Sequence, residues 1–159
     1  MLKITNGFVT ELSANAKANY RKRLHHNFHK NYDEKVQRLL NACDPTSYFR
    51  PHCHADSNTT ETIILVRGRM LVVEFDVMGN IIDHIILQSN EGHIGVELSP
   101  ETWHSMIALE EETVMFEIKQ GPFDPEKKKL FADWSPEEGS EDAKSFNQNI
   151  GNWDISNVT

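Results

Sequence analysis

Eight histidines stand in the 159 residues of this chain, and three of them, with one glutamate, have types and spacing suited to holding a transition metal. Random placement of eight histidines yields roughly 0.4 H-x-H pairs, so His52-Cys53-His54 carries little weight without its context. That context is a strand, where residues two apart share a face and both imidazoles point to one side, with Cys53 on the other. Seven residues beyond His54, Glu61 opens an apolar run and shares a face with Ile63 and Leu65. A carboxylate on an apolar face needs a partner, because burying an unpaired charge is costly. A metal shared with His52 and His54 meets that need, and His104, after the turn Ser99-Pro100-Glu101-Thr102-Trp103, supplies a third imidazole. Three imidazoles and a carboxylate suit one divalent Fe, Mn, Ni or Zn better than Ca²⁺ or a thiolate-selecting ion.

The elements that must position these residues fall into three zones. Residues 8–43 read as helical in parts: Leu12, Ala16 and Ala18 lie in an Ala-rich stretch. Val36, Leu39, Leu40 and Cys43 recur at spacings of three and four, with Asp33 as N-cap and Pro45 beyond the end. Between residues 46 and 119 the pattern changes to short strands: Glu61–Val66, Arg69–Phe75, Ile81–Leu87, Ile94–Leu98, Ser105–Leu109 and Thr113–Lys119. Arg67-Gly68 reads as a hairpin turn and Gly79-Asn80 as the next. In the last strand Val114, Phe116 and Ile118 read as the buried face. Many strands without intervening helices predict an antiparallel sandwich or small barrel. Asp124-Pro125 can open a short helix through Phe131. The acidic, then Asn-rich, stretch from Ser135 to Thr159 has the composition of a disordered tail. These zones predict one domain: a helical lead over 1–43 packed on a barrel over 44–122, and a C-terminal helix and tail over 123–159.

Composition narrows the function classes. The chain is 38% hydrophobic and 25% charged, with 24 acidic and 16 basic side chains for a net charge of −8, as expected of one soluble domain. The longest apolar runs are far short of the ~20 residues that cross a bilayer. No secretory signal is read at the N-terminus, so a cytoplasmic location without membrane contact is expected. Cys43 and Cys53 read as buried, reduced thiols. The charge is uneven: residues 17–38 hold seven basic and two acidic side chains, whereas residues 110–142 hold eleven acidic ones and four lysines. An acidic chain is a poor nucleic-acid binder. The basic stretch can serve a small anion, a solvated face, or ion pairs with the acidic C-terminal region.

The order H-x-H, Glu, Gly, then a Pro-containing turn leading to His resembles the two motifs of the cupin superfamily, carried here by His52, His54, Glu61, Gly68, Pro100 and His104. Arg21-Lys22-Arg23 with Asn27 and His29, Val36 to Ala42, Arg50-Pro51-His52, Gly68-Arg69 and Gly121 to Pro125 narrow the likeness to the WbuC type of cupin metalloprotein, over residues 5–138. The resemblance implies a mainly β fold, the cupin double-stranded β-helix or jelly-roll-like barrel, and a metal held by His52, His54, Glu61 and His104. Ser99 and Glu101 depart from the usual second motif, and the His54-to-Glu61 spacing is longer than in most cupins.

Tyr48 and Arg50 share the His52 and His54 face if the strand continues. An inward Arg50 then bridges Glu61 or Glu97, or receives an anion. With Arg21, Arg23, Asn27, His29 and Arg38 folded over the mouth and Trp103 beside His104, the site becomes a cationic pocket for a small anionic or sugar-linked molecule. His25 and His29, four apart, are expected to line that region or lie at the surface. The WbuC type is associated with bacterial surface-polysaccharide (O-antigen) gene clusters, which implies a sugar-related role without fixing a reaction. Three functions are compatible: a metal-dependent isomerase, epimerase or hydrolase, a metal-dependent dioxygenase, and a non-catalytic sugar or metabolite binding module. Residues 143–159 resemble one Asn/Trp-rich unit of the leucine-rich-like repeats of bacterial surface proteins, a unit too short to bury its own face. Docked on a neighbour through Phe146, Trp153 and Ile155, it would support a homodimer.

Overall fold

A computed structural model describes residues 1–54, 59–90, 92–124 and 129–152. Helix α1 (Asn6–Ala18) leads into strands β1 (Arg23–Asn27) and β2 (Val36–Cys43). There follow β3 (His52–His54), β4 (Glu61–Arg67), β5 (Arg69–Phe75), β6 (Ile81–Gln88), β7 (Gly95–Leu98), β8 (Trp103–Ala108) and β9 (Thr113–Gln120). Strand β10 (Lys129–Phe131) and helix α2 (Glu141–Gly151) complete the order. Two antiparallel five-stranded sheets result, one ordered β1-β2-β9-β4-β7 and the other β10-β3-β8-β5-β6. Between them lies a core that includes Phe49, Ile63, Leu65, Met70, Val72, Leu87, Met106 and Met115.

Helix α1 starts where Thr5 Oγ1 accepts from the Phe8 amide, a capping bond that satisfies one of the free first-turn donors. Its buried residues Val9, Leu12, Ser13 and Ala16 recur at helical spacing, and Val9, Leu12 and Ala16 pack on Leu40, Ala42 and Val114. That cover explains the main difference from expectation. Residues 36–43 form a strand, not a second helix, paired along its length with β9 and also with β1. Leu40 and Ala42 face α1 while Leu39 and Cys43 lie on the opposite side, so both faces carry apolar residues. A strand buried on both faces loses its period of two, and its apolar residues can mimic a helix. The same cover changes β9: Val114 lies under α1, while Met115 belongs to the core between the sheets.

The six strands expected between residues 61 and 119 all form, Arg69–Phe75 with the expected bounds and the other five with shifted ends. Gly79-Asn80 closes the β5–β6 hairpin, with Asp76 Oδ1 accepting from the Met78 and Asn80 amides. Arg67-Gly68 does not close a hairpin, because β4 and β5 belong to different sheets. Gly68 turns the chain across at φ +80°, where an added Cβ would stand 2.5 Å from Thr113 Oγ1.

Residues 129–131 form a strand against β3 instead of the end of a helix, and 125–128 lie outside the described residues. Within the stretch read as a disordered tail, Glu141–Gly151 form α2, capped by Ser140, whose Oγ accepts from the Ala143 amide. Ile150 and Phe146 pack with Leu71, Val73, Phe75, Ile107 and Trp134 on the second sheet. Thus Phe146 docks on its own chain; Trp153 and Ile155 lie outside the described residues. Among the described residues no helix is long and apolar enough to cross a membrane.

Candidate metal centre

His52 and His54 lie on β3, Glu61 opens β4 in the opposite sheet, and His104 sits on β8 directly across from His52. All four are at least 94% buried, and one ligand atom from each lies within 4.8 Å of the other three. His52 Nδ1 stands 3.0 Å from the Arg50 carbonyl oxygen, and His104 Nδ1 stands 2.9 Å from that of Thr102. A carbonyl oxygen only accepts, so each Nδ1 carries the proton and each Nε2 keeps a lone pair. Carbonyls that fix an imidazole tautomer in this way are the usual outer support of a metal-binding histidine.

His54 Nε2 lies 2.6 Å from Glu61 Oε2. His104 Nε2 is 3.4 Å from the same oxygen, lacks hydrogen-bond alignment, and has no other partner. A buried, unpaired nitrogen with a lone pair is expensive in a protein without a ligand, and a metal ion resolves it. Ligand atoms at ~2.0–2.2 Å from one ion stand at most ~4.4 Å apart, so the cluster needs to contract by only tenths of an ångström.

The charge states fit. Burial, then the nearby Lys129 and His104, hold His52 well below the ordinary histidine pKa, so it is a neutral donor. For Glu61 burial acts upward, but Lys119 and the two imidazoles outweigh it and keep the carboxyl well below its usual range. Neutral imidazole and ionised carboxylate are the forms that bind metal.

The cluster opens into a cavity of about 230 Å³, below the ~300–1,000 Å³ of sites for drug-sized ligands. Arg21, Arg23, Asn27 and His29, singled out in the sequence, line it, as does His25. The alternation Arg23, His25, Asn27 is that of β1, a strand and not the helix face expected there. Arg21 and Arg23 both pair with Glu138, the ion pair between basic lead and acidic C-terminal region that the charge distribution allowed.

Four other candidates lie elsewhere. Arg38 pairs with Glu34. The Tyr48 hydroxyl donates to the Pro136 carbonyl, and Arg50 donates to Ser135 Oγ and the Ala132 carbonyl, bridging neither Glu61 nor Glu97. Trp103 packs with the cluster under α2. The reason at Tyr48 and Arg50 is that β3 begins only at His52, so no alternation extends back through Pro51.

Sequence reasoning missed Glu117, Lys119, Lys129, Gln37 and Asn41, which also line the cavity. The spacing of Glu117 and Lys119, two apart on a strand, was a usable signal, but Val114, Phe116 and Ile118 drew attention to the other face. Lys119 Nζ donates to Glu117 Oε1 at 2.6 Å, and Lys129 has no ion-pair partner among the described residues. Lys129 is exposed as a residue, yet its ammonium at the cavity is pulled down to about 8 by loss of water and by Lys119.

Residues 4–87 match a family model described as a domain of unknown function, DUF6016. No curated protein sequence matches the chain. Among solved structures, the capsular polysaccharide assembling protein CapF from Staphylococcus aureus is similar at 21% identity and TM-score 0.53, over 67% of this chain and 29% of its own. An oxalate oxidase in complex with the substrate analogue glycolate is similar at 11% identity and TM-score 0.54, over 72% of this chain and 57% of its own. L-ribose isomerase from Cellulomonas parahominis, with L-psicose, is similar at 11% and 0.54, over 71% and 70%. This chain therefore spans under a third of CapF and just over half of the oxalate oxidase, and at these identities the likeness is one of fold. The two facing sheets, with three histidines from one and a glutamate from the other, are the cupin double-stranded β-helix, and the chain belongs to the DUF6016 family on that fold.

Proposed function

We propose that this protein is a metal-dependent cupin enzyme of the WbuC type that acts on a small, sugar-linked organic acid, by isomerisation, epimerisation or hydrolysis. One observation carries the reading: the buried His52, His54, Glu61 and His104 cluster opens into the same small cavity as Lys119 and Lys129. Glu61 is committed to the cluster and Glu117 to Lys119, so Lys129 is left to meet an anion beside the metal position. The metal, when bound, supplies a Lewis acid that polarises an oxygen or a bound water. The chain's own residues do the rest: Lys129 binds the carboxylate, and Lys119 holds Glu117 in place. Leu39, Phe49 and Met106 form an apolar wall that limits water at the reacting end. CapF's description as a capsular polysaccharide assembling protein supports a role in surface-polysaccharide chemistry.

A second reading, an enzyme that uses oxygen, as a dioxygenase or an oxidase, is favoured by the likeness to an oxalate oxidase and by the three-imidazole, one-carboxylate set. Both are tested on untagged protein loaded with Fe(II), Mn(II), Ni(II) or Zn(II) and offered a library of sugar acids. Turnover without oxygen supports the first reading, and oxygen consumption that needs Fe(II) or Mn(II) replaces it with the second. Ligand binding with no turnover under any metal leaves a binding module and removes the enzyme.

A further inference from the structure

Apart from Arg21 and Arg23, the cavity's ionised groups are gathered at one end, and the strand register shows where. Residues directly opposite in an antiparallel sheet share a face. The inward side of the first sheet is therefore ordered in rows. Nearest the cluster are Glu61, Lys119 and Gln37; next come Ile63, Glu117, Leu39 and Asn27; then Leu65, Met115, Asn41 and His25. Within these three rows charge is confined to the first two, and Lys129, which pairs with His54 on the other sheet, adds to it. The third row carries uncharged groups alone. Beyond it, Arg23 is engaged by Glu138 and the Tyr48 carbonyl and lies over the Phe49 ring.

Gln37 Nε2 donates to the Tyr32 and Glu34 carbonyls, but three other uncharged polar side chains of β1 and β2, those of Asn41, Asn27 and His25, are unused by the protein. Asn41 is 8% exposed and its Oδ1 has no hydrogen-bond partner. As placed, that oxygen is shut from solvent, and a half-turn of the amide exchanges it with Nδ2. The side chains of Asn27 and His25 also make no hydrogen bond among the described residues, although both line the cavity. Loss of water there, with Arg21 and Lys119 nearby, keeps the His25 imidazole below its ordinary pKa, so it offers one donor and one acceptor.

We infer that the acid taken by this cavity is polyhydroxylated, a sugar acid of monosaccharide size, bound with its carboxylate toward Lys129 and the metal cluster and its hydroxyls against Asn41, His25 and Asn27. A hydroxyl both gives and receives a hydrogen bond, which completes an amide and a neutral imidazole alike. A hydrocarbon acid leaves these groups unpaired. The inference rests on the proposed binding of an acid at the metal and specifies which acid.

Titration calorimetry on the metal-loaded protein tests it with glucuronate, galacturonate and mannuronate, with cyclohexanecarboxylate, and with glucose. The six-membered carbocyclic acid matches a pyranose uronate in charge and ring size and lacks the hydroxyls. The best uronate is expected to bind at least about tenfold more tightly than cyclohexanecarboxylate, the worth of one or two hydrogen bonds. Asn41→Leu and His25→Phe are expected to shrink that ratio, and Lys129→Met to weaken both acids together. Cyclohexanecarboxylate binding as tightly as every uronate, still dependent on Lys129, overturns the inference and leaves the acid reading standing. If neither acid class binds better than glucose, the acid reading falls and takes the inference with it. The comparison of the two acids needs no variant, so a substitution that fails to fold does not spoil it.

Discussion

At the scale of single residues, the metal cluster depends on tautomers and charge states that burial and backbone carbonyls impose. His52 and His104 each have Nδ1 tied to a carbonyl two residues earlier, so their Nε2 atoms are free for the ion. The His52→Ala, His54→Ala double variant is expected to lose the metal, while the parent protein made without a histidine tag carries close to one per chain. Elemental analysis checks both, and a substoichiometric content unaffected by the substitutions would remove the assignment. Acid should weaken the metal-free protein in a defined window. The native pKa of His52 is depressed, so between that value and about 6.5 the unfolded chain takes up a proton that the native protein refuses. Stability therefore rises with pH through that window and is lost as pH falls below about 6.5, with Glu61 adding a further loss below about 4.5. Thermal melts of metal-free protein from pH 8 to 4 should show a plateau, then a decline. A melting temperature that rises on acidification contradicts the sign.

At the scale of elements, β2 is decisive because it is covered on both faces. Leu40 is fully buried under α1, and Leu40→Ala should cost about 2–5 kcal/mol, read from the midpoint of urea unfolding. Gly68→Ala should cost about 1–3 kcal/mol, since it combines a left-handed backbone with a Cβ driven into Thr113. A change within experimental error would mean that the β4-to-β5 crossing tolerates another path. The elements also show what was legible in advance. The strands from Glu61 to Lys119 could be found from β-branched runs and glycine turns. Strand β2 could not, because its alternation is erased by apolar contacts on both sides, one made by α1 and the other by the core.

At the scale of the whole molecule, the C-terminal segment is structural support for the cavity. Glu138 draws Arg21 and Arg23 together, and Arg50 donates to Ala132 and Ser135. The Arg21–Glu138 pair is accessible and contributes little to stability, about 0–1 kcal/mol, whereas the Arg23 side chain is largely buried and depends more on Glu138. Glu138→Gln should accordingly cost only modest stability yet lower the Kd for an acid ligand, most at low salt, because two cavity arginines lose their counter-charge. Ligand titrations at low and high salt read this directly. Ile150→Asp should act oppositely, placing a charge under α2 and costing several kcal/mol of stability by denaturant titration.

The chemistry on offer is written in the chain itself: three imidazoles and a carboxylate of metal-binding type, a β-rich middle, and a basic lead opposed by an acidic tail. Residue type and local period are properties of the chain, so they can be read there. Which groups share the cavity is a matter of the fold. It placed Lys119 and Lys129 beside the cluster, turned Arg50 and Trp103 away, and converted a helix-like stretch into the strand that carries Asn41. Those outcomes depend on which face of a strand is covered and on which strands become neighbours. Such pairings join residues far apart in the chain, as Glu61 joins Lys119, and local spacing holds no record of them.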